Sequence, residues 1–137
     1  MLTEKDYCDY ETCVALKKLG YNEKTLAYYT SEGFFHWIRA YIYDVAIPDL
    51  ANSSNKKPYK HIIDAMSLYE AQKWLRKEKN IIVEVFVDDD SDTPITYNIY
   101  KDGECVCHHH GKYWSVKEWS EALSEGIKEA VKILKEK

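Results

Sequence analysis

The residues best suited to chemistry are concentrated in "ECVCHHHG", residues 104 to 111, where Cys105, Cys107, His108, His109 and His110 occupy six consecutive positions with Val106. Thiolate sulfur and imidazole nitrogen are the ordinary ligands of zinc. On an extended strand alternate side chains share a face, so Cys105, Cys107 and His109 form one row and are the candidate metal ligands. Same-face Cβ atoms of a strand lie roughly 6.5 to 7 Å apart. Two thiolates on one tetrahedral zinc must approach to roughly 3.8 Å. No C-x2-C or H-x3-H pair stands elsewhere to complete a site. The stretch therefore reads as a β-strand with a polar outer face, and a relaxed Cys105 to Cys107 disulfide is excluded by the same spacing.

Other constellations fall short of a site. Asp88, Asp90 and Asp92 occupy the first three ligand positions of an EF-hand loop, yet Thr93 replaces the required Gly and Ile99 the closing Glu, so a solvated turn is expected. The five glycines are scattered singly, which leaves no phosphate-binding loop. Cys8 and Cys13 have no His in local register, and nothing in the sequence ties His36 or His61 to a nucleophile. The chain reads as non-enzymatic, with no cofactor.

The aromatic content is the stronger lead. Twelve Tyr, four Trp and three Phe include the run Tyr28, Tyr29, Phe34, Phe35, Trp37, Tyr41 and Tyr43. Aromatics paired on a hairpin cannot all point inward. Tyr28, Tyr29, Phe35 and Trp37 are therefore expected to supply an interaction surface of the kind enriched at protein interfaces. The implied partner is a protein, and a second copy of the chain is one such partner.

The elements that position these residues follow from capping and periodicity. "DYETCVALKKLG" gives a short helix capped by Asp9 and closed by Gly20. "TLAYYTSEGFFHWI" gives a hairpin turning at Gly33, with "RAYIYDVAI" extending its second arm up to Pro48. "DLANSSNKKPYK" is a polar loop. "SLYE" is a capping box through Ser67 and Glu70 that opens a helix over 68 to 79, with Leu68, Ala71, Trp74 and Leu75 on one face and Asn80 as the stop. "IIVEVFV" is a β-branched strand. "PITYNIY" and "ECVCHH" are joined by Asp102 and Gly103, a hairpin signal that pairs Lys101 with Glu104, Tyr100 with Cys105 and Ile99 with Val106. A second box, Ser115 to Glu118, opens the final helix, whose stripe is Val116, Trp119, Leu123, Ile127, Ala130, Val131 and Leu134.

These elements predict one α+β domain over 1 to 137: helix, hairpin, helix, three-stranded meander and long C-terminal helix, with the helices on one face of a mostly antiparallel sheet. A finer division would place helix and aromatic hairpin in 1 to 50, the polar loop in 51 to 58, and helix, three strands and helix in 59 to 137. A net charge of −4, spread over both halves, disfavours nucleic acid and anionic membranes. With no 18-residue apolar run and no basic segment before an apolar one, neither a membrane span nor a signal peptide is expected, and the chain reads as cytoplasmic with reduced cysteines.

Two resemblances add to this reading. Helix, three strands and helix over 67 to 136 is the order found in double-stranded RNA-binding domains. The lysine-rich start of that family's last helix corresponds here to "SVKEWSEALSEG", where Lys117 stands among Glu118, Glu121 and Glu125 and phosphate contact is disfavoured. "YETCVALKKLGYNE", "SLYEAQKWLRKEKNI" and "WSEALSEGIKEAVKIL", in that order, resemble a family of small proteins from gut bacterial and phage genomes with no established activity. That resemblance implies a mobile-element setting in a bacterial cytoplasm. Its motifs are packing and capping residues and carry no chemistry.

Overall fold

The computed structural model describes residues 2–37, 62–108 and 112–136. It divides into two compact units, Met1–Ser67 and Leu68–Lys137. The architecture is α+β and antiparallel, as expected, but the strands among the described residues form two three-stranded sheets.

The first unit opens with a 3-10 turn at Glu4–Asp6, in which the Thr3 N–H donates to Asp6 Oδ2 at 2.9 Å. Helix α1, Tyr10–Lys18, starts where the sequence places it because the Asp9 carboxylate accepts from Thr12 N at 2.8 Å. Cys8 precedes that cap and Cys13 stands at the fourth helical position, both buried, with the Cys13 thiol donating to Cys8 O at 3.6 Å. The two cysteines thus act as the apolar staple of the helix start. At the other end Gly20 N donates to Lys17 O and Tyr21 N to Leu16 O, each at 3.0 Å, a Schellman closure. Its apolar contact pair, Leu16 and Tyr21, is fully buried.

Strands β1 (Ala27–Thr30) and β2 (Phe35–Trp37) form the expected hairpin, with Ala27 opposite Trp37 and Tyr29 opposite Phe35. Thr30 O accepts from Gly33 N and Thr30 N donates to Phe34 O, both at 2.9 Å, which closes a three-residue loop. Gly33 sits at φ +89°, the conformation such a loop demands and L side chains resist. A third strand, β3 (Ile62–Ala65), pairs with the other edge of β1, giving the order β2-β1-β3. The sequence reading has no strand here, and its finer division assigns 59 to 67 to the second half. Pairing with β1 puts residues 62 to 67 in the first unit. Cys8 N donates to Met66 O at 3.0 Å and Tyr7 bridges Ser67, so the N-terminal segment is tied to the residues after β3. The "RAYIYDVAI" arm and the polar loop lie outside the described residues.

The second unit begins with α2 (Leu68–Lys79), whose Leu68, Ala71, Trp74 and Leu75 are buried as the periodicity requires. Asn80 ends it at φ +52°. Gln72 Nε2 on this helix donates to Val83 O at 2.7 Å, joining it to β4 (Ile81–Val87). Strand β5 (Ile95–Lys101) pairs along the whole of β4, and β6 (Glu104–His108) follows through Asp102 and Gly103 at φ +51° and +87°. Helix α3, Trp119–Lys135, crosses the face of Val83 and Tyr97 at Gly126, where an added Cβ would lie 2.5 Å from Val83 Cγ1 and 3.4 Å from the Tyr97 ring.

Two expectations need correction in this unit. The predicted Ile99 to Val106 pair does not form. A β-bulge leaves Val106 unpaired and sets Cys107 opposite Ile99 and His108 opposite Asn98. The final helix also starts later than its capping box: Val116–Glu118 is a 3-10 turn, in which Ser115 N and Oγ both donate to Glu118 Oε1 at 2.9 Å. Val116 and Trp119 are accordingly exposed rather than part of the buried stripe, which runs through Ala122, Leu123, Gly126, Ile127, Ala130 and Val131.

Candidate binding site on the aromatic hairpin

Strand alternation divides the hairpin aromatics between two faces. Tyr29, Phe35 and Trp37 share one, with Ala27, because Tyr29 pairs with Phe35 and Ala27 with Trp37. Tyr28 and His36 share the other and stack at 5.3 Å between ring centroids.

The first face is covered in part by the N-terminal segment. Tyr7 meets Phe35 at 5.2 Å and Trp37 at 5.3 Å, both edge to face, and Tyr10 meets Tyr29 at 5.8 Å. Phe35 touches Tyr29 at 5.5 Å and Trp37 at 5.0 Å in the same manner. Such edge-to-face pairs contribute beyond the area they bury, and they fix ring orientation. Tyr29 is buried, its hydroxyl donating to Cys8 O at 2.6 Å. Burial first, then the Cys13 thiol and the Glu4 and Asp9 carboxylates, push its phenol well above the ordinary tyrosine value.

Of the four residues expected on the surface, Tyr29 is therefore core, Tyr28 and Phe35 are half-buried, and Trp37 is 44% exposed. The correction for Tyr29 has a simple cause: the Tyr7 to Asp9 segment lies over it and accepts its hydroxyl proton. The most open apolar side chains at the hairpin are Phe34 at 65% and Leu26 at 60%, which flank the strands. The sequence reading counts Phe34 among the hairpin aromatics without choosing it, and passes over Leu26. Beside Tyr7 and Tyr29 a cavity of about 720 Å³ opens, lined also by Thr3, Glu4, Lys5 and Asp9.

The candidate metal ligands are separated by the bulge. Cys105 stands opposite Tyr100 and is exposed; Cys107 stands opposite Ile99, half-buried, and adds to the upward push on the buried Tyr97 phenol on the face that α3 covers. Tyr100 and Ile99 point to opposite faces, so the two cysteines do not form the expected row. His109 lies outside the described residues. No group of three His, Cys, Asp or Glu is arranged to hold a metal among the described residues. In the acidic turn, Asp89 Oδ1 accepts from Ser91 N at 2.8 Å, and the Ser91 hydroxyl and backbone N–H hold its carboxyl below the usual range. No helix among the described residues is long and apolar enough to cross a membrane. No protein-family model, curated protein or solved structure matches the chain.

Proposed function

We propose that this protein is a non-enzymatic binding module that docks a partner protein on its aromatic hairpin. One observation carries the reading: Leu26, Phe34 and Trp37, three large apolar side chains on or beside two short strands, are 60%, 65% and 44% exposed. Trp37 is open to solvent while Tyr7 and Phe35 hold its ring edge to face, and an aromatic anchor already fixed in pose loses little entropy on binding. The bacterial or phage setting implied by the three helix motifs belongs to the same proposal.

The test compares the full chain with a Leu26→Ser/Phe34→Ser variant, which changes the two most open of these side chains and leaves the packed Trp37 ring in place. Sedimentation velocity reads self-association, and chemical cross-linking in the native host reads a foreign partner. A complex formed by the natural chain and lost in the variant supports the reading. Identical behaviour of the two proteins overturns it.

Nucleic-acid binding is the second reading, favoured by one observation. The second unit runs α2, β4, β5, β6, α3 with an antiparallel meander, the element order of double-stranded RNA-binding domains. Glu118 and Glu121 at the start of α3 oppose phosphate contact. A titration with duplex and single-stranded RNA at low salt, where phosphate attraction is greatest, decides it; no binding there removes this reading.

A further inference from the structure

We propose that Asp102 is a site of spontaneous backbone isomerisation, from aspartate to isoaspartate, which Asn80 and Lys101 restrain in the folded chain. The proposal is independent of the binding reading. Asp102 is the one aspartate of the chain that a glycine follows, and no asparagine precedes a glycine. A following glycine has no Cβ to crowd the approach of its own backbone nitrogen to the neighbouring carboxyl. An added Cβ at Gly103 would meet nothing within 4 Å, and the Asp102 side chain is 62% exposed, so the turn is open to water. Water is the only co-reactant the change needs. The Gly103 nitrogen attacks Asp102 Cγ, an N–Cγ bond forms, and the amide hydrogen and the carboxyl hydroxyl leave as one water, giving a cyclic imide. A second water then opens the ring. Cleavage of the bond to Cγ restores aspartate, whereas cleavage of the bond to the main-chain carbonyl carbon leaves the chain running through Cβ and Cγ beside a free α-carboxyl.

The surroundings of the turn hold this reaction back. Asp102 and Gly103 stand at φ +51° and +87°, the left-handed pair that a two-residue hairpin loop requires. Both carboxyl oxygens of Asp102 are engaged: Asn80 Nδ2 donates to Oδ1 at 3.0 Å and Lys101 Nζ to Oδ2 at 2.9 Å. Asp102 N in turn donates to Asn80 O at 3.1 Å, so the same two residues are tied through main chain and side chain. Among the described residues Asn80 and Asp102 are the two non-glycine positions at positive φ, and each is the other's partner. Ring closure swings the carboxyl carbon onto the Gly103 nitrogen and gives up both side-chain hydrogen bonds. The isomerised turn carries one extra main-chain atom, so the Lys101 to Glu104 pair that closes the loop no longer forms in register.

The experiment ages the full natural chain and its Asn80→Gly and Lys101→Met variants at neutral pH, folded and in guanidinium chloride. Electron-transfer fragmentation mass spectrometry, which separates the two isomers, measures isoaspartate at position 102. Glycine keeps the left-handed conformation at position 80 and removes only the side-chain donor, and methionine keeps the apolar stem of Lys101 and removes its charge. Isoaspartate is expected at 102 in every sample, slowest in the folded natural chain and fastest in the unfolded one. Each variant should raise the folded rate about three- to tenfold, the factor implied by losing one charge-assisted hydrogen bond at an exposed site. Circular dichroism checks that the variants are folded; should Asn80→Gly unfold, Lys101→Met decides alone. Absence of isoaspartate at 102 even in the unfolded chain overturns the inference. So does equal ageing of the folded natural chain and its folded variants, or a folded natural chain that ages as fast as the unfolded one.

Discussion

Gly126→Ala is the sharpest perturbation of the fold, because two effects of opposite sign can be weighed from the structure. Alanine in the middle of a helix is favoured over glycine by about 1 kcal/mol. At position 126 the new Cβ would stand 2.5 Å from Val83 Cγ1, more than 1 Å inside ordinary carbon contact, and 3.4 Å from two atoms of the Tyr97 ring. Neither neighbour has room to yield. Val83 is β-branched, 1% exposed and held in the centre of β4, and Tyr97 is equally buried in β5. Forcing a methyl group into such a core costs about 1 to 3 kcal/mol, here toward the upper end. Subtracting the propensity gain leaves a net loss of about 1 to 2 kcal/mol.

Urea unfolding followed by hydrogen exchange of the α3 amides measures this in the unit concerned, without requiring both units to unfold together. The partner substitution separates mechanism from accident. Val83→Ala alone leaves a void, whereas in the double variant the alanine methyl at 126 enters the space that Val83 Cγ1 vacates. The double variant should therefore be more stable than the sum of the single losses by about 1 kcal/mol or more. Should Gly126→Ala match or exceed the natural chain in stability, the close crossing of α3 over Val83 is wrong.

Three further outcomes follow from burial and hydrogen bonding. Of the four thiols, Cys105 should react with Ellman's reagent first, Cys107 more slowly, and Cys8 and Cys13 only on unfolding; equal rates for Cys105 and Cys107 would remove the bulged register. Tyr29 and Tyr97 have phenols raised chiefly by burial, so the folded state binds those protons more tightly than the unfolded state does. Their contribution is complete below the ordinary tyrosine pKa near 10 and is lost as pH rises above it, so a residue-resolved magnetic resonance titration should show these two phenols ionising only with alkaline unfolding. The Glu118 carboxyl is held below its ordinary value, first by the backbone N–H and then by the hydroxyl of Ser115. Its stabilising effect is present above the ordinary glutamate pKa and fades as pH falls through the lowered one. A carbon-detected titration should find that low midpoint, and a Glu118 midpoint at the ordinary value would refute the cap.

What was legible in the sequence was whatever depended on neighbours in the chain. The 68 to 79 helix has a complete apolar face and an asparagine stop, and Asp102 with Gly103 fixes a tight turn through backbone conformation alone. Strand β3 was not legible. It is four residues long and carries Asp64, which reads as surface, and only the tertiary fold supplies Lys17 at 3.5 Å to compensate its burial. Tyr7 was hidden for a related reason. It precedes a helix in a polar stretch, and its burial depends on the bridge to Ser67 and the rings of Phe35 and Trp37, all distant in sequence. The aromatic site could thus be located to the hairpin, but not which ring would face solvent.

The Cys/His strand illustrates the limit of periodicity most directly. Strict alternation from the Asp102 to Gly103 turn would place Val106 inward against Ile99 and Cys107 outward. The bulge exchanges them: Val106 is 47% exposed and unpaired, while Cys107 takes the place opposite Ile99. Burial of a valine is worth more than burial of a thiol on transfer grounds alone, so side-chain preference cannot be the cause. A bulge bends and twists its strand, and beyond this one the chain returns to pair Trp114 with Ile95 through hydrogen bonds of 2.8 and 2.9 Å. Backbone closure around β5 therefore prevails over the apolar pattern at this edge. A row of ligands read from alternation is only as secure as the register beneath it, and here one extra residue turns Cys107 away from Cys105.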